Sequence, residues 1–158
     1  MLINLVLGLR YLGLHAEAGA VSRHALTLGT DGTTNYHRTW LAFDEALAGR
    51  AAEGLDALGD VAAKDLDPTH RSVRALVAAL ADIQGATPAA RRAAFAAARR
   101  RLVEAAKECS PLPEDAPVVR AAYRAAVRRL GRDAGGPAAR LWSLWRQLRP
   151  ILPDRPAA

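Results

Sequence analysis

Apolar residues recur at intervals of three and four along nearly the whole chain, the spacing that lines up one face of an α-helix. The pattern breaks at segments bearing glycine or proline, and those breaks divide the chain into helix pairs. The first pair runs Leu2–Leu12 and Leu14–Leu28, hinged at Gly13. The segment GTDGTTN, Gly29–Asn35, is a loop rich in glycine and capping side chains. A second pair follows, Tyr36–Ala48 and Arg50–Lys64, turning at Gly49. DLDPTH sets Pro68 near the next helix start, and the third pair spans Thr69–Ile83 and Pro88–Cys109 across QGATP. In domain terms, residues 1–109 hold three pairs and 110–117, SPLPEDAP, form a proline-rich connector. Residues 118–149 form a divergent closing pair, about Pro117–Leu130 and Pro137–Leu148 with GRDAGG between, and 150–158 read as a flexible tail.

Gly13, Gly49 and Gly85 stand at equal intervals of 36 residues, each in an alanine-rich stretch. Equal spacing predicts a repeated two-helix unit with a tight turn inside each copy. The fold class expected is therefore all-α: a right-handed solenoid of helix hairpins, four pairs and eight helices. The fourth turn falls at Gly131, the extra length being taken up by the long helix after Pro88 and the connector.

YLGLHAEAGAVSRHAL resembles the tetratricopeptide repeat family, with Gly13 at the glycine inside the hairpin and Ala18 and Ala25 at small positions of the second helix. The second copy matches through Leu41, Ala42, Gly49 and Gly54, and the third through Ala78, Gly85, Ala90 and Ala97. Small residues suit points where helix axes come close. The pattern departs where the family's tyrosine is Leu9, Glu45 and Ala81, where Val6 fills a position usually small, and in a period of 36 rather than 34. Another 36-residue helical repeat of the Sel1-like kind, or an irregular α-bundle, shares these features. The resemblance implies a scaffold or recognition part rather than a catalyst.

Composition sharpens this picture in three ways. Aromatic residues make up only 5% of 158, which suits closely packed helices better than sheets. A single cysteine, Cys109, excludes an internal disulfide or a multi-cysteine zinc site and fits a reducing, cytoplasmic setting. Charge is split: residues 1–90 carry seven basic and ten acidic side chains, residues 91–158 fifteen and six. That asymmetry points to an acidic partner. Arginine outnumbers lysine 20 to 2, which also fits a GC-rich bacterial genome and weakens arguments from arginine identity alone.

Arg120, Arg124 and Arg128 recur every four residues, with no acid between Ala116 and Arg132, opposite a core face of Val119, Tyr123, Ala126 and Leu130. This is either a solvated face or a docking strip for an acidic protein or peptide, with nucleic acid the alternative guest. ARLWSLWRQLRPIL reads as a closing helix that buries Trp145 or, failing that, as a second anchor formed by Trp142 with Arg146 and Arg149. Tyr36, His37, Arg38 and Trp40 open the second pair, where an aromatic and basic cluster suits gripping an extended peptide; Trp40 and Phe43 equally suit the core. The partner-binding candidates are thus Tyr36, Arg38, Trp40, Arg120, Arg124, Arg128, Trp142, Arg146 and Arg149.

His15, His24, His37 and His70 show no ligand spacing, and no phosphate-loop, nucleophile-elbow or zinc signature occurs, so neither cofactor, metal nor enzyme activity is expected. No basic residue precedes the opening apolar run and Arg10 interrupts it, so it reads as an amphipathic helix rather than a signal peptide or membrane span. With no polar repeat ahead of it, that helix predicts a piece of a larger protein or self-association through Leu2, Leu5 and Leu9.

Overall fold

The computed structural model describes residues 2–29, 34–59, 61–108 and 116–134. Among these residues there are seven α-helices and no strand: α1 (Leu2–Tyr11), α2 (His15–Thr27), α3 (Thr34–Leu47), α4 (Ala51–Leu58), α5 (Pro68–Gln84), α6 (Arg91–Glu108) and α7 (Ala116–Ala134). Residues 110–115 of the expected connector, the helix expected over 137–148 and the tail lie outside the described residues, and with them Trp142, Arg146 and Arg149, whereas Ala116 and Pro117 belong to α7 rather than to the connector.

The first two hairpins are built alike. Gly13 and Gly49 have φ of 79° and 96°, left-handed values that cost a side chain little only when it is absent. Around Gly13, its own N–H donates to the Arg10 carbonyl at 3.0 Å and that of Leu14 to Leu9 at 2.9 Å. Gly49 donates to Ala46 at 3.1 Å and Arg50 to Glu45 at 2.9 Å, the same closure 36 residues on. The third turn departs from the expected repeat. Gly85 has φ of −79° and still donates to Ala81 in helical fashion. The chain reaches α6 only after a further turn, in which Ala90 N–H donates to Thr87. Equal spacing in sequence therefore marks two equivalent turns, not three.

Close approach also follows the second pair best. A Cβ on buried Gly54 would stand 2.5 Å from the Ala42 carbonyl oxygen, so α4 nests on α3 only because that side chain is missing. In the third pair Ala90 is exposed and Ala97 half-buried, while Phe95, Ala98, Leu102 and Ala105 face the core. Two element boundaries are corrected as well. The helix expected over Arg50–Lys64 stops at Leu58, because Gly59 takes φ of 53°, and resumes only as a 3-10 turn at Ala63–Asp65. Gly131 is no turn: α7 runs through it to Ala134, since glycine inside a helix costs only about 1 kcal/mol and the residues on both sides are held. Leu130 is buried, and Arg129 bridges Asp133 at 2.9 Å one helical turn on.

Consecutive helices pack side by side, α3 and α5 being central, and the core gathers Trp40, Phe43, Leu76, Val77, Leu80 and Ile83. Helix α7 touches α6 but also α5, α3 and α1, the first helices of the three preceding pairs. It brings Ala122, Tyr123, Ala126, Val127 and Leu130 into the same core, the face expected from its pattern. Polar anchors fix its register. The hydroxyls of Tyr123 and Ser72 hydrogen-bond, and Arg129 Nη1 donates to the Leu47 carbonyl at 2.9 Å. Gln84 Nε2 donates to the Ala46 carbonyl at 2.9 Å and to Asp133 at 3.0 Å, while its Oε1 accepts from Ala51 N–H at 2.9 Å. Arg129 thus answers the Leu47 carbonyl at the end of α3, and Gln84 adds a second donor to the Ala46 carbonyl that Gly49 N–H already reaches.

Candidate interaction site

The N-terminal end of α3 brings together residues from four helices. Trp40 is 2% exposed, edge-on to Phe43 with centroids 5.9 Å apart, so it shapes the core instead of offering its ring to a guest. The Arg10 guanidinium carbon lies 4.9 Å from the centre of the Trp40 ring, within cation–π range. Arg10 is itself 2% exposed; its Nη2 donates to Asp44 at 2.6 Å and to Ser22 at 3.3 Å. Asp44 also faces His15 Nδ1 at 3.3 Å, so one carboxylate joins α1, α2 and α3. Sequence reasoning treated Arg10 only as a break in an apolar run. The signal lay in its helical phase, which sets it four residues after buried Val6.

Tyr36 is half-buried and meets two imidazoles edge-on, His37 at 5.2 Å and His70 at 5.1 Å. His37 is buried, and its pKa falls below 6.5, through burial first and then the positive charge of Arg10. Arg38 is exposed on the solvent side of the same helix. Asp67 caps α5: its Oδ1 accepts the His70 N–H at 2.9 Å and its Oδ2 lies 2.6 Å from His70 Nδ1. Burial pushes the Asp67 carboxyl up, but hydrogen bonds from the His70 amide and ring, the charge of His70 and the Thr69 amide outweigh it and hold the pKa below 3.8. Beside these residues lies a pocket of about 320 Å³ lined by Ile3, Asn35, Tyr36, Asp65, Leu66, Asp67 and His70.

The arginine ridge occupies the other side of α7. Arg120 and Arg124 are half-buried and Arg128 is exposed. Among the described residues no carboxylate pairs with any of the three, and Arg120 Nε is buried without a hydrogen-bond partner. Five other described arginines, Arg10, Arg23, Arg50, Arg101 and Arg129, do meet a carboxylate. Arg23 and Arg50 share Glu45, Arg101 meets Asp82 at 3.4 Å, and Arg129 holds Asp133. The structure therefore brings Tyr36 and Trp40 into one cluster, leaves Arg38 on its rim, and keeps Arg120, Arg124 and Arg128 together on a separate helix.

Leu5, Tyr11, Leu12 and Leu14 are exposed on and beside the first hairpin. Among the described residues no three metal-ligating side chains converge, and no helix is long and apolar enough to cross a membrane. Compared with known protein families, curated proteins and solved structures, the chain matches none.

Proposed function

We propose that this chain is a non-catalytic interaction module that holds an acidic partner peptide or helix on the arginine ridge of α7. The observation that carries the reading is the contrast within that one helix. Arg129, on the inner side, is fully engaged with Asp133 and the Leu47 carbonyl, whereas Arg120, Arg124 and Arg128 have no described carboxylate. Four residues of helix advance about 6 Å, so the ridge presents like charges at a step that an acidic helix with the same period would match. Burial of Tyr123, Ala126 and Leu130 holds the ridge on a fixed backbone, which lowers the ordering cost of binding. The first-helix face, where a tetratricopeptide-like solenoid would take its guest, is met by α7 itself. The two matching glycine turns support a repeat origin for the first two hairpins, and a scaffold in a larger regulator is the role that such repeats suggest.

The test is a titration of the full chain with a glutamate-rich helical peptide, followed by fluorescence anisotropy. Wild type should bind, and a variant carrying Arg120→Gln, Arg124→Gln and Arg128→Gln should bind at least about tenfold more weakly with unchanged helicity. Nucleic acid is the competing guest for the same charges. Preferential binding of a single-stranded oligonucleotide, falling steeply with salt and lost in the triple variant, would replace the peptide reading.

A further inference from the structure

The outer face of α1 is apolar, uncharged and notched. Leu5, Gly8 and Leu12, three and four residues apart, share the side of the helix roughly opposite buried Val6 and Arg10. Leu12 continues the helical path, its N–H donating to the Gly8 carbonyl at 3.1 Å. Leu5 is 50% and Leu12 70% exposed, and Tyr11 is exposed beside them. Arg10 is the one charged residue of α1, and it turns inward to Asp44. Gly8 is the notch. Gly19 and Gly54, the glycines inside α2 and α4, each have atoms of α3 within 4 Å of where a side chain would begin, so their bareness serves packing within the molecule. Around Gly8 no atom of the described residues lies that close. Glycine inside a helix weakens it, and nothing in the described fold uses the room that Gly8 leaves.

The occupant that this pattern fits is a second copy of the chain. Leu5 and Leu12 flank Gly8 by three and four positions, so two α1 helices crossing antiparallel at Gly8 set Leu5 of each copy beside Leu12 of the other. Charge points the same way. The chain carries a net charge of +6, so two copies repel on average. The outer face of α1 is a place where they can meet without bringing like charges together. A lipid surface suits the face less, because interfacial helices carry Lys or Arg beside their apolar side and the single arginine of α1 is buried.

We propose that the chain forms a two-fold symmetric dimer through α1, with Gly8 at the crossing point and Leu5 and Leu12 packed across the axis. A crossing of two ten-residue helices covers less than the roughly 800 Å² per partner of a long-lived interface, so the dimer should exchange, with a dissociation constant on the order of 10–100 μM. None of the arginine-ridge residues takes part. The variant carrying Arg120→Gln, Arg124→Gln and Arg128→Gln should therefore pair as wild type does, whatever becomes of its peptide binding.

The experiment is sedimentation equilibrium of the full chain over a concentration range that brackets that constant, at low and high salt. A reversible monomer–dimer equilibrium is expected, and added salt should not weaken it, because salt screens the net charge and leaves apolar contact intact. Leu12→Glu, at an exposed position, should weaken pairing at least about tenfold by burying an unpaired charge. Gly8→Leu is the sharper variant. It enlarges the apolar surface, so a merely sticky face would associate more, whereas a close crossing loses its notch and should weaken at least about tenfold. Circular dichroism of both variants should match wild type. The proposal is overturned if the chain stays monomeric throughout, which leaves the face to a different protein, or if assembly grows past two copies. It is overturned equally if Leu12→Glu or Gly8→Leu pairs as tightly as wild type or more tightly.

Discussion

Arg10 and Asp44 form an ion pair 2.6 Å long with both side chains shut away from solvent, joining α1 to α3. Around the pair, Ser22 accepts a second bond from the guanidinium and the Trp40 ring lies under it. Breaking a buried pair from one side strands a charge, which costs about 3–5 kcal/mol. Arg10→Met and Asp44→Leu should each lose stability on that order in urea unfolding. The double variant should lose clearly less than the two single losses added, because it leaves no orphaned charge.

The two kinds of glycine turn should respond differently to alanine. At Gly13 the left-handed backbone makes Gly13→Ala cost about 1–2 kcal/mol. At Gly85, with φ of −79°, alanine should change stability by less than about 0.5 kcal/mol. Thermal unfolding of the two variants against wild type checks this, and equal losses would contradict the difference between the turns.

Stability should fall on mild acidification because of His37. Burial and Arg10 lower its folded pKa, so near and below pH 6.5 the unfolded chain takes up a proton that the folded chain refuses. The contribution is fully present above 6.5 and is lost as pH drops toward the lower folded value. Urea midpoints measured from pH 8 to 5 should decline in wild type and decline less in His37→Leu. Asp67 acts at lower pH: its depressed pKa stabilises the fold above 3.8, and that contribution is lost as pH falls through the folded value.

Most of the helix layout was legible because burial follows the 3.6-residue period, and in α7 that period marked Tyr123, Ala126 and Leu130 as core. What escaped the pattern was decided by tertiary partners. Gly131 looked like a turn until Arg129, Asp133 and Gln84 were seen holding the helix around it. Gly85 shared the spacing of Gly13 but not its conformation, since spacing does not encode φ. The Tyr36 and Trp40 cluster was anticipated as a group and Trp40 as a core candidate; the pattern did not show that the residue covering Trp40 is Arg10, thirty positions away in sequence. Gln84 carries no local signal at all: its three bonds run to Ala46, Ala51 and Asp133.

Gln84 should therefore matter more than an ordinary surface amide. Gln84→Ala leaves the Ala46 carbonyl and Ala51 N–H without that partner and should cost about 1–3 kcal/mol by urea unfolding. A loss within about 0.5 kcal/mol, usual for surface sites, would show that solvent replaces it.

The account rests on α7 lying against the first helices with its arginine ridge turned away, and the most direct measurement is a double-mutant cycle between α5 and α7. Ser72→Ala, Tyr123→Phe and the double variant are unfolded in urea beside wild type, removing the hydroxyl pair that joins residues 51 apart in sequence. A coupling of about 0.5–3 kcal/mol is the result predicted for groups in contact. Strict additivity of the two single losses would contradict the placement of α7, and with it the ridge proposed to receive the partner.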